Sequence, residues 1–172
     1  MAQERERKYL VADDSWRAAA GRGERIRQGY LAITDRCTVR VRVRGDSGYM
    51  TVKGRRRGDT RAEYEYGVPL RDAEQMLDLL CSSLIEKSRH EVRVAGALFE
   101  IDEFYGDNSG LILAERELHG GDDPGTALAS WIGPDVTEDE RYYNAYLSRH
   151  PFRTWNGPEE TAGDGPGNQD HP

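Results

Sequence analysis

The sequence predicts a mainly β fold of the α+β class: an eight-stranded antiparallel sheet closed into a β-barrel, with a charged lumen and flanking helices. Three observations lead there. Seven short stretches put ionisable or polar groups at every second residue inside segments that read as strands. Turn chemistry of the hairpin kind separates several of those segments, and the amphipathic helical stretches are too few to form a core among themselves. Residues i and i+2 of a strand share a face, so each stretch aims two or three such groups in one direction.

Glu4-x-Glu6-x-Lys8 opens the first strand-like segment, residues 3–11. Asp13–Ala20 reads as a short helical piece. Segments 24–33 and 38–45 follow, and the second carries Arg40-x-Arg42. There Val39, Val41 and Val43 point one way while Arg40, Arg42 and Arg44 point the other, so one face is apolar and one cationic. Gly45-Asp46-Ser47-Gly48 predicts a tight hairpin into 48–54, which carries Thr51-x-Lys53. Segment 61–68 carries Glu63-x-Glu65. Residues 70–80 place Leu70, Ala73, Met76, Leu77 and Leu80 on one stripe, the spacing of an amphipathic helix.

Segments 84–95 and 97–105 carry Lys87-x-Arg89 and Glu100-x-Asp102. Gly106-Asp107-Asn108-Ser109-Gly110 predicts a longer hairpin into 110–118, with Glu115-x-Glu117. Pro124–Trp131 reads as another short helical piece. A second amphipathic helix is predicted from Thr137, where Thr137-x-x-Glu140 has the form of a capping box, through Tyr142, Tyr143, Tyr146 and Leu147.

One strand with alternating charge is ordinarily a solvated face. Here seven strands carry one, with acids dominating some and bases others. A like-charge pair held 4 Å apart costs about 4 kcal/mol at an effective dielectric of about 20. Closing the sheet would let strands of opposite sign face each other across a lumen and offset that cost. The apolar face then points outward, against the helices.

Composition agrees. Charged residues are 32% and hydrophobic residues 37% of the 172, a balance that suits a wet exterior and a charged interior together. The length suits one domain. Of the net charge of −7, four negative charges (Glu159, Glu160, Asp164, Asp170) lie in the Gly- and Pro-rich stretch 156–172, which has no Lys or Arg, so the body carries −3. We read residues 1–155 as the tunnel domain and 156–172 as a disordered acidic tail. A body without basic excess argues against nucleic-acid binding. Without an apolar run of membrane length or a signal-like start, the expectation is a soluble cytoplasmic protein with no membrane association. Cys37 and Cys81 match neither a zinc spacing nor a redox pair and read as reduced, buried thiols. His90, His119, His150 and His171 show no ligand spacing, and Arg55-Arg56-Arg57 reads as an exposed basic loop.

The order of motifs resembles the CYTH superfamily, the triphosphate tunnel metalloenzymes. The matching pieces run from Glu4-Arg5-Glu6-Arg7-Lys8 through Arg25-Ile26-Arg27-Gln28-Gly29-Tyr30-Leu31, Thr38-Val39-Arg40-Val41-Arg42, Thr51-Val52-Lys53-Gly54 and Arg61-x-Glu63-x-Glu65. They continue with Ile85-Glu86-Lys87-x-Arg89, Glu100-Ile101-Asp102-x-Phe104, Ala114-Glu115-x-Glu117-Leu118, Val136-Thr137 and Arg141-Tyr142-Tyr143-Asn144. The resemblance implies a charged tunnel, a divalent metal held by carboxylates, and a small-molecule triphosphate substrate. The short bacterial members it resembles imply an inorganic triphosphatase, cleaving tripolyphosphate to pyrophosphate and phosphate. A class IV adenylate cyclase, a thiamine-triphosphatase, or a non-catalytic polyphosphate- or nucleotide-binding module would share these motifs, and a homodimer is left open.

A triphosphate is a dense polyanion and needs positive charge in fixed geometry. Lys8, Arg40, Arg42, Lys53, Arg61, Lys87 and Arg89 are the expected suppliers, arginine as a two-pronged fork and lysine as a point charge. Glu4, Glu6, Glu100, Asp102, Glu115 and Glu117 are the expected ligands of Mg²⁺ or Mn²⁺. Glu63 and Glu65 are expected to orient the arginines. Lys87, coupled to Tyr30, is the expected catalytic group, an assignment taken from the resemblance.

Overall fold

The computed structural model describes the backbone of residues 2–4 and all of residues 6–55, 61–118 and 129–155. Arg5, Arg56, Arg57, His119, His171, most of Pro124–Trp131 and the acidic stretch 156–172 lie outside the described residues.

Ten strands form one antiparallel sheet. They are β1 (Ala2–Glu4), β2 (Glu6–Val11), β3 (Glu24–Ile33), β4 (Cys37–Arg44), β5 (Ser47–Gly54), β6 (Arg61–Val68), β7 (Leu84–Val94), β8 (Ala97–Phe104), β9 (Ile112–Glu117) and β10 (Ile132–Asp135). Two α-helices, α1 (Leu70–Leu80) and α2 (Asn144–Leu147), and several short 3₁₀ turns complete the described chain. No helix among the described residues is long and apolar enough to cross a membrane.

The neighbour order is β1-β6-β5-β4-β3-β7-β8-β9-β2-β10. This corrects the expected closed barrel of eight strands. The first predicted strand is two elements: β1 pairs with β6, Glu4 lying opposite Arg61, whereas β2 pairs with β9. The remaining edge of β2 is taken by β10, which has no alternating pattern to betray it. The hydrogen-bond ladder is therefore open. Yet only one residue separates Glu4 from Glu6 in the chain, so the sheet curls until its β6 side and its β9 side meet the same N-terminal segment.

The hairpins follow turn chemistry. Arg44 pairs directly with Ser47, and Gly45 supplies the positive φ of 53° that a two-residue turn of this kind needs at its first central position. Between β7 and β8 the turn is Ala95-Gly96, where Ala95 is held at φ 46°. An L-residue with a Cβ adopts that conformation at a cost.

The outward face is the apolar one, as the Val39–Val43 pattern predicts. Val41 is fully buried beneath Ala73 and Leu77 of α1, with Leu31, Val43, Val68 and Met76 around them. Helix α1 spans the residues that the periodicity predicts, and it lies close to the sheet because Gly48 offers no Cβ: one placed there would sit 2.7 Å from the Cβ of Ala73. A second outer cluster joins Tyr9, Val92, Phe99, Ile101 and Ala114 beneath Trp16 and Trp131. Trp16 arrives on the 3₁₀ turn Asp14–Ala18, capped by Asp13, where the sequence predicts a helical piece.

A third cluster is internal and was not foreseen. Ile85, Phe104, Leu113 and Leu147, with Leu111, form an apolar plug. Ile85 and Lys87, like Leu113 and Glu115, alternate along one face of their strands, so the plug continues the line of the charged groups and stops one end of the interior.

The C-terminal segment differs from its prediction. There is no helix from Thr137; a 3₁₀ turn at Glu140–Tyr142 precedes the four-residue α2. Thr137 is no cap. Its hydroxyl accepts from the Lys8 amide at 3.0 Å, and Val136 donates to the Lys8 carbonyl at 2.8 Å, so the segment is fastened to β2 instead. Both cysteines are free, but half-buried rather than buried.

Candidate functional site

The curled sheet encloses a cavity of about 410 Å³. Its lining includes Glu6 and Lys8 from β2, Tyr30 from β3, Arg40, Arg42 and Arg44 from β4, and Lys53 from β5. Arg61, Glu63 and Glu65 come from β6, Lys87 and Arg89 from β7, Glu100 from β8, Glu115 and Glu117 from β9, and Tyr143, Asn144 and Ala145 from the C-terminal segment. Residues more than a hundred positions apart converge because the inward face of every contributing strand is its charged face.

The interior has two chemically different walls. On the basic wall, Arg40, Arg42 and Arg44 project from one strand. Arg42 reaches Glu65 at 3.0 Å, Arg40 donates to Thr51 at 3.1 Å and lies 3.6 Å from Glu65, and Lys53 meets Glu63 at 3.0 Å. Glu63 and Glu65 thus brace the cations. The Nε atoms of Arg40 and Arg42 are buried with no hydrogen-bond partner among the described residues. Burial, with the neighbouring Arg40 charge adding to it and Glu65 opposing, draws the Arg42 guanidinium below its usual range. Cations at such a place are short of negative charge.

The acidic wall is β8, β9 and β2, adjacent in the sheet. Glu6 lies directly opposite Glu117, and Glu100 directly opposite Glu115, so like charges face each other across two strand pairs. Direct cross-strand pairs of like charge are destabilising unless a cation intervenes. For the inner pair the protein supplies its own. Lys8 bonds to Glu115, and Arg89 meets Glu115 at 2.8 Å, Asp102 at 2.6 Å, and Glu100 as well. Burial pushes the Glu115 carboxyl up, but the charges of Lys8, Arg89 and Lys87 outweigh it and hold the group well below the usual carboxylate range. The outer pair is left largely open. Among the described residues Glu6 makes one ion pair, with Arg61 at 3.8 Å, and is near enough to Lys8 to favour its charge, while Glu117 is exposed and makes none.

Asp102 is fully buried and is not among the lining residues. It sits beneath the cavity surface, bonded to both Lys87 and Arg89. Lys87 is 1% exposed, with its amine 5.3 Å from the centre of the Phe104 ring at the top of the apolar plug. Burial there, with Arg89 opposing protonation further and Asp102 favouring it, lowers the Lys87 amine to about 8. Tyr30 lines the same cavity, and burial raises its phenol.

All the residues singled out from the sequence are accordingly brought to one enclosed space or its immediate wall, except that the side chain of Glu4 lies outside the described residues. The cavity is also lined by Arg44, Tyr143 and Asn144, which the sequence reading does not assign to the site. Arg44 continues the Arg40-x-Arg42 series and could have been added by extending it one step. Tyr143 and Asn144 belong to a piece that carries the family resemblance, but the irregular chain that presents them has no alternation to show which way they face. His90 packs against Trp16 on the outer face and takes no part.

Comparison with known proteins gives a consistent picture. The CYTH domain family matches residues 2–127. The chain is 40% identical over 156 residues to the inorganic triphosphatase of Acetivibrio thermocellus, spanning 90% of this chain and 99% of that one. It is 36% identical over 149 residues to the inorganic triphosphatase of Nitrosomonas europaea, spanning 83% of this chain and 95% of the relative. A crystal structure of an inorganic triphosphatase superposes with a TM-score of 0.64 at 34% identity, covering 86% of this chain and 95% of that one.

Proposed function

This chain belongs to the CYTH domain family, and from that footing we infer that it is an inorganic triphosphatase, hydrolysing tripolyphosphate to pyrophosphate and phosphate inside the curled sheet. The observation that carries the reading is the division of one cavity of about 410 Å³ into a basic wall, whose buried Arg40 and Arg42 Nε atoms meet no acceptor among the described residues, and an acidic wall where Glu6 and Glu117 face each other across a strand pair. A polyanion suits the first and a hard cation the second. The N-terminal segment, shared between the β6 and β9 sides, is the seam that turns the sheet into a tunnel.

Triphosphatases of this family depend on a metal ion, and the acidic wall has the hard oxygen donors one takes, although no three acids, histidines or cysteines among the described residues are already gathered around a single point. Glu6 and Glu117 are register partners across β2 and β9, with the Glu115–Glu100 pair two residues further along β9, and these carboxylates are the ones that would hold the ion. Bound there, Mg²⁺ or Mn²⁺ would supply Lewis acidity and neutralise charge on the phosphate oxygens. Asp102 serves in this reading to hold Lys87 and Arg89 in place rather than as a ligand.

The chain's own groups do the rest. Arg40, Arg42 and Arg61 turn their forks to the phosphate oxygens, with Glu65 fixing the orientation of the first two, and Lys53 and Lys8 add point charges around the chain of phosphates. The apolar plug closes one end, so a linear phosphate chain enters by its terminus and meets Lys87 at the bottom. With its amine near 8, Lys87 is protonated at neutral pH yet ready to give up that proton, which suits it to protonate the leaving bridging oxygen as water adds to the terminal phosphorus and the bond between that phosphorus and the bridging oxygen breaks. Tyr30 on the adjacent strand supports it from the same cavity.

The test is product analysis. Purified protein is incubated with tripolyphosphate, ATP and thiamine triphosphate, each with Mg²⁺ and with Mn²⁺. Phosphate release should be fastest from tripolyphosphate. Cyclic AMP from ATP without phosphate release, or tight binding with no turnover of any of the three, would overturn the reading.

A further inference from the structure

Gln28 is a fully buried amide of the inner wall, and neither its Oε1 nor its Nε2 meets a hydrogen-bond partner among the described residues. Register fixes its facing. Gln28 pairs directly with Arg42 of β4 on one side and with Ile85 of β7 on the other, so it shares the inward face with the basic wall and with the apolar plug. A buried amide with both ends unmet is a standing penalty, which an apolar side chain of the same shape would not carry. Packing alone gives no reason for it.

The complementary atom lies on the paired residue. The Arg42 Nε is a buried donor with no acceptor among the described residues, and side chains of directly paired residues start about 4.5–5.5 Å apart at Cβ. The lean of the arginine keeps the two from meeting. Its Nη2 donates to both carboxylate oxygens of Glu65, at 3.0 and 3.3 Å, and its guanidinium carbon lies 5.6 Å from the centre of the Tyr49 ring. Tyr49 is on β5 and Glu65 on β6, so Arg42 reaches across β5, away from β3 and Gln28. Glu65 has other partners. The Thr51 hydroxyl donates to it at 2.8 Å, and Arg40 lies 3.6 Å away, so the carboxylate stays fixed and compensated if Arg42 leaves.

Resting on the triphosphatase reading, we propose that Gln28 is a positioning residue for Arg42: with a polyanion in the cavity, the guanidinium turns from Glu65 to the β3 side and donates its Nε–H to Gln28 Oε1, leaving its other nitrogens to the phosphate oxygens. Glu65 sets the fork before the phosphates arrive, and Gln28 holds it afterwards. A phosphate chain repels Glu65 and attracts the fork, so it binds the second position better, and that difference drives the shift. An amide suits the task where a carboxylate does not. A carboxylate would neutralise the guanidinium that has to meet phosphate, whereas a neutral carbonyl anchors it with its charge intact.

The experiment is a double-mutant cycle on tripolyphosphate hydrolysis with Mg²⁺, using the full-length parent, Gln28→Met, Arg42→Lys and the double variant. Met keeps the unbranched shape of Gln without the amide, and Lys keeps the charge of Arg without the Nε donor. Gln28→Met should raise KM about tenfold to a hundredfold, the range for one hydrogen bond from a charged donor, with kcat changed less. In the Arg42→Lys background the same substitution should cost nothing further, which a residue that only packs would not show. The melting temperature of Gln28→Met should be at or above that of the parent, because two unmet buried atoms are gone. A parental KM in Gln28→Met, an equal loss in both backgrounds, or a fall in melting temperature that tracks the loss of activity would each overturn the proposal. A second measurement needs no change at Gln28. In NMR spectra of the parent, the Arg42 Nε–H signal, assigned by its absence from Arg42→Lys, should move downfield as tripolyphosphate is added without metal; a signal that stays in place while tripolyphosphate raises the melting temperature would overturn it equally. Failure of the parent to turn over triphosphate with either metal would instead sink the functional reading beneath it.

Discussion

Glutamine at position 115 should do something different from glutamine at position 117, although both acids stand on one face of one strand. Glu115 is 8% exposed and faces Lys8 and Arg89, with Lys87 near enough to contribute. Its neutralisation leaves two or three buried cations short of a counter-charge. Breaking a buried pair from one side costs about 3–5 kcal/mol. For a chain of this size each kcal/mol moves the melting temperature by about 2–4 °C, so Glu115→Gln should melt on the order of 10 °C below the parent. Because burial is outweighed and the native Glu115 carboxyl titrates well below its unfolded value, the parent's advantage is complete above the ordinary carboxylate range. It disappears as pH falls through the depressed native value. Glu117→Gln should melt at or slightly above the parent, since it removes one of two facing like charges and breaks no ion pair among the described residues. In both variants the rise in melting temperature on adding Mg²⁺ or Mn²⁺ should shrink, as expected when an ion binds only the native state and loses a ligand. Thermal denaturation with and without metal, from pH 3 to 8, reads all of this. A Glu115 variant as stable as the parent at neutral pH would refute the counter-ion argument, and an undiminished metal-induced shift in both variants would refute the assignment of the acidic wall to metal.

The remaining predictions concern the proton donor, the facing of the sheet and one strained turn. The dependence of kcat/KM on pH reports the free enzyme, so it should break downward as pH rises through about 8, where Lys87 gives up its proton, and Lys87→Met should lose both the break and most of the rate. An unmoved break in that variant would assign it elsewhere. Val41→Glu should cost about 3 kcal/mol or more, because it removes an apolar side chain buried under α1 and desolvates a carboxylate without a partner; urea denaturation showing parental stability would mean that β4 faces the other way. Ala95→Asn should stabilise by about 1 kcal/mol, since Asn tolerates the left-handed conformation that Ala95 is held in at φ 46°. A lower denaturation midpoint for that variant would show the turn to be unstrained.

The β-strands were legible because alternation is a local signal. The Val39–Val43 and Arg40–Arg44 interleaving shows in one pass both that the segment is extended and that its two faces meet different surroundings. Helix α1 was equally plain, since a stripe at helical spacing over eleven residues has no other economical explanation. Short or irregular pieces were not. The four residues of β10 are a strand only because the free edge of β2 lies beside them, and Thr137 looked like a cap because its spacing from Glu140 fits that motif, when its hydroxyl is taken by Lys8 from across the molecule. The apolar plug had the same cause for escaping notice: Ile85, Phe104 and Leu113 each continue an inward series whose other members are charged, and a strand's pattern gives the face of a residue without giving its depth.

The charges of the site and their side of the sheet were therefore determined by the sequence, because period-two alternation fixes direction residue by residue. What those charges do to one another was decided only in three dimensions. Glu115 and Glu117 are alike in sequence, but sheet order puts Lys8 and Arg89 against one and an opposed glutamate against the other. Asp102 reads like its neighbours in the acidic wall, yet depth turns it into the anchor of two cations. Coulombic interaction falls off with distance and is amplified by burial, and both quantities belong to the assembled sheet and not to any single strand.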